Sequence, residues 1–217
     1  SDPWERIIQE QKEYPEFQRK LGIDVMWHPQ NHGQYWTPVG YVCTMHDVLP
    51  LDRPDLSPNL GNSVPSEKAL SDSRIFSIVG ADSVIVPTNF SKNTLLKYVR
   101  LDPDKIHVIN TGIDHGIFNV NLSESVALTR KRFGLHEKYI LTVGSFAPHK
   151  NLPTLVKAFH ESRLFRKGYQ LVLVGPMDGV VYTNCADDIK NLIKQLDITD
   201  YVKLISTIEI NDLVDIY

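Results

Sequence analysis

Residues 139–176, YILTVGSFAPHKNLPTLVKAFHESRLFRKGYQLVLVGP, carry in succession the local signals of a strand, a helix and a second strand. The first segment, 139–143, is a short apolar run rich in β-forming residues, and it predicts a buried parallel strand. Apolar residues at helical spacing begin at Leu152, and Gly168 ends that helix. Residues 170–174 form a second continuous apolar run. The stretch therefore predicts a βαβ unit, the building block of doubly wound α/β folds.

The turn between the first strand and the helix carries candidate ligand-binding residues. Ligands of parallel α/β folds lie at the carboxyl ends of the strands, where the loop 144–150 meets the loop that starts at Gly175. Asn151 is predicted to cap the helix, and Pro153 is tolerated in its first turn. The amino end of a helix attracts phosphate, and the charge of Lys150 adds to that attraction. The alternative for Lys150 is an ordinary solvated loop lysine.

The composition excludes several classes of protein. Lys and Arg total 23 against 26 for Asp and Glu, a formal charge of -3, which argues against a general nucleic-acid binder. Two cysteines predict no disulfide framework and fit a reducing compartment. The chain has no apolar run long enough to span a membrane, and its polar, charged start is not a signal peptide. These features predict a soluble, cytoplasmic protein.

Predicted strands and helices alternate through the rest of the chain, as they do in α/β folds. The predicted strands are 24–27, 41–45, 82–87, 106–109 and 201–205. The predicted helices are 4–21, interrupted near Pro15, 67–80, one capped by Thr88 or Asn89, 187–196, and one that begins at Glu209. Residues 51–66 are rich in Pro, Asn, Asp, Ser and Gly and predict a long loop.

Three histidines of the first half are candidates for chemistry. His28 and His32 are four residues apart, but Pro29 and Gly33 make a helix there improbable and no third ligand is near, so an ordinary loop is favoured over a metal site. His46 follows a predicted strand and lies at its carboxyl end. From the residues alone, His46 is more simply a residue that ends the strand and bonds its neighbours.

Four strings of the chain, in this order, resemble the retaining glycosyltransferases of family 4 (group 1), which have the two-domain GT-B fold. They are HDVLPL from His46, ADSVIVPTNFSK from Ala81, KIHVINTGID from Lys105 and VGSFAPHKNL from Val143. One string alone would be a weak signal, and the order of all four gives the resemblance its strength. It implies two Rossmann-like parallel-sheet domains, residues 1–115 and 116–217, joined around residues 112–121.

The resemblance also implies roles for individual residues. The family's lysine in this loop contacts the diphosphate of the nucleotide-sugar donor, and Lys150 matches it, with Gly144, Ser145 and Gly175 in the same two donor-binding loops. Many members carry an arginine where this chain has Ser145, so half of the usual basic pair is absent. A histidine at the place of His46 lies beside the transferred sugar in related enzymes, which makes it the catalytic candidate.

Motifs that the family carries elsewhere are not in the chain. They are the E-x7-E motif, the P-S-x-x-E-G-F-G-like loop beside it, and the Gly-rich loop that opens the first domain. We therefore expect a chain that begins inside one domain and ends inside the other, with both sheets incomplete. Such a chain is expected to transfer sugar poorly by itself and to self-associate through its open sheet edges.

The leading functional hypothesis is retaining, metal-independent hexosyl transfer from a UDP- or GDP-linked sugar to a glycan or lipid-linked acceptor, without a cofactor. The alternative is a non-catalytic nucleotide-binding or interaction module derived from that fold. An unrelated flavodoxin-like binding domain is a third hypothesis, and the four ordered strings argue against it. The basic run 130–132 suggests a further hypothesis, peripheral contact with the inner face of a membrane. Three charges on a short helix are, however, usually a solvated face.

Overall fold

The structure is a computed structural model that describes residues 3–56, 65–118, 125–177 and 185–217, with the backbone alone for Pro3 and for 65–71. The chain divides into two compact units, Ser1–Gly112 and Ile113–Tyr217. Each is built on a parallel sheet, so the predicted α/β class with two parallel-sheet units is confirmed. In the part of the chain that is described, no helix has the length and apolar character needed to cross a membrane.

The first unit contains a four-stranded sheet in the order β1-β2-β3-β4, with every neighbouring pair parallel. The strands are β1 (Val25–His28), β2 (Gly40–Thr44), β3 (Ser83–Val86) and β4 (Ile106–Val108). The helices are α1 (Pro3–Ile8), α2 (Tyr14–Leu21), α3 (Leu49–Asp52), α4 (Pro65–Gly80) and α5 (Asn89–Tyr98), and a π-helical turn, Gln9–Glu13, joins α1 to α2.

One face of this sheet forms the core of the first unit. Tyr41 and Cys43 of β2 point into it and pack with Val84 of β3 and with Ile78 of α4, and all four side chains are buried. Trp27, which pairs in register with Val42, belongs to the opposite face and is 58% exposed. The helices α4 and α5 therefore cover one face, while the other carries apolar side chains in contact with solvent.

The start of α5 shows why the sequence predicted a helix there. Thr88 has an extended backbone, and its hydroxyl oxygen accepts a hydrogen bond from the Ser91 N–H at 3.0 Å. This is the geometry of a helix amino cap, in which a side-chain oxygen satisfies an amide that the helix cannot. The predicted cap at Thr88 is confirmed.

The predicted loop 51–66 is wrong at its beginning. The short helix α3 occupies Leu49–Asp52, and a 3₁₀ turn follows at Pro54–Leu56. Proline is tolerated in the first turn of a helix, and the Asp47 carboxylate accepts the Leu49 N–H at 3.2 Å, so a Pro-rich string forms a helical turn here. Helix α4 begins at Pro65, and residues 57–64 of the predicted loop lie outside the described residues.

The second unit contains a three-stranded parallel sheet in the order β5-β6-β7. Its strands are β5 (Lys138–Val143), β6 (Tyr169–Val174) and β7 (Val202–Ile205), and its helices are α6 (Ser125–Phe133), α7 (Leu152–Ser162), α8 (Ala186–Gln195) and α9 (Ile210–Ile216). The predicted βαβ unit is β5, α7 and β6. Residues 119–121 of the predicted junction lie outside the described part of the chain.

Helices cover both faces of this sheet. On one face, Leu171 and Leu173 of β6 pack against Val156 of α7 and Ile189 of α8. On the other face, Val172 and Val174 of β6 pack with Ile216 of α9. Strand β6 is therefore buried on both sides, which explains its continuous apolar sequence.

Candidate functional site

The carboxyl ends of β5 and β6 lie in backbone contact at two glycines. The Gly144 N–H donates to the Val174 carbonyl oxygen at 2.8 Å, and the Gly175 N–H donates to the Ile205 carbonyl oxygen at 2.9 Å. A Cβ atom on Gly175 would lie 1.9 Å from the Gly144 carbonyl oxygen, much closer than van der Waals contact. Glycine alone fits at position 175, so both candidate ligand loops leave from one tightly joined strand edge.

The loop after β5 is anchored by its own side chains. Ser145 is half-buried and Phe146 is buried in the core of the second unit. The Phe146 carbonyl oxygen accepts the Cys185 N–H at 2.9 Å, which joins this loop to the segment before α8. The loop then closes with a 3₁₀ turn, Pro148–Lys150, in which the Lys150 N–H donates to the Ala147 carbonyl oxygen at 3.0 Å.

The side chain of Lys150 returns over the strand end. Its Cε atom lies 3.9 Å from the position that a Cβ would occupy on Gly144, and the residue is exposed. Within the described ranges, the Lys150 ammonium makes no ion pair with a carboxylate. An exposed cation at the carboxyl end of a buried strand, beside the amino end of a helix, is suited to binding an anion.

Asn151 is the amino-cap residue of α7, as predicted, but its side chain caps no backbone amide. Asn151 adopts the left-handed conformation with φ 51° and ψ 36°, and its side-chain oxygen accepts the Thr154 hydroxyl at 2.8 Å instead of a backbone amide. Pro153 has no amide hydrogen, and the Thr154 N–H donates to the Asn151 carbonyl oxygen at 3.1 Å. Since Pro153 lacks an amide hydrogen and the Thr154 amide is already bonded, the Lys150 charge is the main attraction for an anion in this proposed site.

His46 lies in the first unit, directly beyond the carboxyl end of β2. It is exposed, and its ring Nε2 lies 2.7 Å from the carbonyl oxygen of Pro29. Its backbone N–H donates to Oδ1 of Asn31 at 2.6 Å. The structure thus places Gly144, Ser145, Lys150 and Gly175 together in the second unit and His46 at a strand end of the first.

His28 and His32 do not form a metal pair. The ring of His28 is buried between Tyr14 and Tyr41, with ring centroids 6.5 Å and 5.4 Å away. Burial, with the nearby charge of Arg6, lowers the pKa of His32 to about 4, so the ring is neutral at physiological pH. Among the residues that the structure describes, no group of three or more His, Cys, Asp and Glu could hold a metal ion.

The basic run on α6 contacts its own unit. The guanidinium of Arg130 lies 5.3 Å from the centre of the Tyr139 ring, and Arg132 forms an ion pair with Asp212 of α9. These contacts join α6 to β5 and α9, which gives the two arginines a structural role.

A separate cavity of about 700 Å³ lies between α6 and α9. Its polar side chains bond one another: the hydroxyls of Ser125 and Thr129 donate to the Asp215 carboxylate at 2.9 Å and 2.7 Å. None of the lining residues belongs to the strand ends that carry Lys150. We assign no ligand to this cavity.

Sequence reasoning missed Asn31, the residue that holds His46. Asn31 follows β1 and His46 follows β2, and these two strands are neighbours in the sheet. Because the carboxyl ends of parallel strands meet at one edge, polar residues after both strands could have been paired in advance. The missing information was that β1 lies next to β2.

Two family models match the chain. Residues 3–116 match the model described as Glycosyltransferase Family 4, and residues 128–217 match the model described as Glycosyl transferases group 1. The first match covers more than half of the chain, and the second covers most of the second unit.

Two curated relatives are similar in sequence. Alpha-maltose-1-phosphate synthase of Mycolicibacterium smegmatis is 28% identical over 162 residues, which are 73% of this chain and 39% of that protein. D-inositol 3-phosphate glycosyltransferase of Segniliparus rotundus is 29% identical over 104 residues, which are 47% of this chain and 22% of that protein. The matched segments thus cover well under half the length of either relative.

Solved structures share the fold. A glycosyltransferase from Rickettsia africae superimposes with a TM-score of 0.67 at 20% identity, covering 97% of this chain and 53% of that one. HepE of Anabaena, in complex with UDP-glucose, superimposes with a TM-score of 0.59 at 16% identity, covering 82% of this chain and 44% of that one. At these identities the likeness shows the fold, which is the GT-B fold that the resemblance implied.

Proposed function

Because the chain belongs to glycosyltransferase family 4, we propose that it serves the transfer of a sugar from a nucleotide-sugar donor to an acceptor. The observation that carries the proposal is the position of Lys150, an exposed cation whose Cε lies close to Gly144 at the carboxyl end of β5. A diphosphate concentrates negative charge, and a lysine ammonium meets it as a point charge. Lys150 therefore holds the donor diphosphate.

In this proposal Lys150 acts on the leaving group. As the bond between sugar and diphosphate breaks, negative charge grows on the departing oxygen. A positive charge fixed beside that oxygen stabilises the transition state more than the ground state, which is what accelerates a reaction. A side chain on Gly144 would face the Lys150 side chain, so glycine at this position leaves room for the diphosphate beside the cation.

His46 is proposed to contact the transferred sugar. Its support is its place at a strand's carboxyl end, its exposure, and a ring held by one hydrogen bond to the Pro29 carbonyl oxygen. A ring oriented in this way needs little reorganisation when a substrate arrives, which favours a positioning role in the sugar pocket.

The donor and acceptor classes are part of the proposal. HepE, one of the structural neighbours, was solved with UDP-glucose, so UDP-hexoses are the first donors to test and GDP-hexoses the second. A glycan or a lipid-linked glycan is the proposed acceptor, and retention of configuration without a metal ion is proposed from the family resemblance. Cytoplasmic location, peripheral membrane contact and self-association through open sheet edges stay predictions.

A transfer assay tests the proposal. The 217-residue chain is incubated with UDP- and GDP-linked [¹⁴C]hexoses and with glycan or lipid-linked acceptors, with and without EDTA, and the assay is repeated with any longer form of the protein. In an active protein, we expect wild type to form labelled product with EDTA present. We expect His46→Ala to form much less of it. Nucleotide binding with no turnover in any version supports the non-catalytic module instead, and the absence of both rejects the two hypotheses together.

A further inference from the structure

Two hydrogen bonds hold His46 from its two ends. The backbone N–H donates to Oδ1 of Asn31 at 2.6 Å, and the ring Nε2 lies 2.7 Å from the Pro29 carbonyl oxygen. A carbonyl oxygen only accepts, so Nε2 must carry the hydrogen. In the neutral ring Nδ1 is then the bare nitrogen, free to accept a hydrogen bond.

Asn31 is itself held in one orientation. Its Nδ2 donates to Oδ2 of Asp47 at 3.1 Å, and Oδ1 of Asp47 accepts the Leu49 N–H at the start of α3. Rotating the Asn31 amide by half a turn would set its NH₂ against the His46 N–H and its oxygen against a carboxylate. Both contacts are repulsive, so the amide has a single favourable orientation. Asn31 thereby joins the loop after β1 to the residues after β2.

We propose that Asn31 is a positioning residue for His46. Asn31 keeps the loop 29–31 against residues 46–47, so that the Pro29 carbonyl oxygen stays within reach of Nε2 and the ring presents Nδ1 as an acceptor. Its consequence for catalysis rests on the proposed function: His46 then accepts a hydrogen bond from a sugar hydroxyl and does not donate one to the leaving oxygen. Asn31 itself touches no reacting atom.

The test observes His46 in the free protein, without a nucleotide sugar. Long-range ¹H–¹⁵N spectra of the imidazole, taken above the pH at which histidine is protonated, report which ring nitrogen carries the hydrogen, and His46→Gln assigns the signal. Wild type is expected to show the Nε2–H form. Asn31→Ala is expected to show a mixture of both forms and to speed hydrogen exchange of the His46 amide by about fivefold, the loss of one hydrogen bond.

A control variant and a rescue variant distinguish the positioning of His46 from a general destabilisation of the first unit. Asn110→Ala removes a similar bond, from Nδ2 to the Pro87 carbonyl oxygen at 2.9 Å, and is expected to leave His46 unchanged. The double variant Asn31→Asp with Asp47→Asn exchanges the two groups, so that every donor again meets an acceptor. It is expected to restore the Nε2–H form and the slow exchange, even if Asn31→Ala proves too unstable to study.

Three outcomes would overturn the proposal. They are a wild-type ring in the Nδ1–H form, an unchanged His46 in Asn31→Ala, and a double variant that behaves like the single one. Because no donor is present in these measurements, they can fail while the transfer assay succeeds, and the transfer assay can fail while they succeed. The two proposals are therefore tested separately.

Discussion

The contact between Gly175 and Gly144 permits a sharp test, because the two glycines have the same φ but differ in their surroundings. Both have φ 157°, so any conformational cost of adding a side chain is common to the two positions. A Cβ on Gly175 would lie 1.9 Å from the Gly144 carbonyl oxygen, whereas a Cβ on Gly144 would meet only Lys150 Cε at 3.9 Å. Gly175→Ala therefore adds a steric clash with backbone to the conformational cost, whereas Gly144→Ala carries the conformational cost alone.

The expected magnitude follows from that displacement. Ordinary contact begins near 3.4 Å, so the strand ends would separate by about 1.5 Å, and overpacking of this kind costs about 1–3 kcal/mol. Such a shift also strains the bond from the Gly175 N–H to the Ile205 carbonyl oxygen, worth about 1 kcal/mol. A side chain at this φ costs about 1–3 kcal/mol at either position. We therefore expect Gly144→Ala to lower the unfolding free energy of the second unit by about 1–3 kcal/mol, and Gly175→Ala to lower it by about 2–4 kcal/mol more.

The unfolding free energies of both variants can be measured by urea unfolding followed by circular dichroism. Hydrogen exchange of the amides in β6 reports on the second unit specifically. Equal destabilisation by Gly175→Ala and Gly144→Ala would refute the reasoning, because the close approach would then have no energetic consequence. Equal stability of wild type and Gly175→Ala would refute it as well, since the two strand ends could not be in the contact described.

Two further predictions concern the first unit. The Lys92 ammonium donates to two backbone carbonyls around the start of β4, each at 2.8 Å, so Lys92→Met should lower its unfolding free energy by about 1–3 kcal/mol in urea titrations, while Lys97→Met should not. Burial and the charge of Arg6 lower the pKa of His32 to about 4, below the value of about 6.5 in an unfolded chain. As the pH falls from about 6.5 to about 4, the unfolded chain takes up this proton first, and stability should fall. His32→Gln should flatten that part of the pH profile and His107→Gln should not; identical profiles for the two variants would contradict the assignment.

Much of the second unit was predictable because its signals are local. The strand β6 is buried on both faces by α7, α8 and α9, and such a strand must be apolar throughout, so its sequence alone predicted it. The helix α8 was visible from apolar residues at helical spacing on one face. Each of these two elements depends on a single chain segment, and the sequence predicted both correctly.

The features that could not be predicted from the sequence depend on residues distant in the chain, or on neighbouring groups that compete for the same hydrogen-bond acceptor. Asn151 is the amino-cap residue of α7, as expected, but the Thr154 hydroxyl, and not a backbone amide, donates to its side-chain oxygen. The need for glycine at position 175 arises from the register of β5 and β6, which sequence spacing does not reveal. The hydrogen bond between the His46 N–H and the Asn31 side chain likewise requires β1 and β2 to be neighbours.

The central claim is that Lys150 binds the diphosphate of a nucleotide sugar, and isothermal titration of UDP and GDP into matched variants tests it most directly. Lys157 is an exposed lysine of α7, the helix that follows the Lys150 loop. Lys157→Ala therefore removes an equal charge at a position away from the strand end. One contact of this kind at about 4 Å is worth about 1–4 kcal/mol before desolvation, and a tenfold loss of affinity corresponds to about 1.4 kcal/mol. We predict that Lys150→Ala weakens nucleoside diphosphate binding at least about tenfold while Lys157→Ala leaves it unchanged. Equal affinities of the two variants would contradict the account and leave Lys150 an ordinary surface lysine.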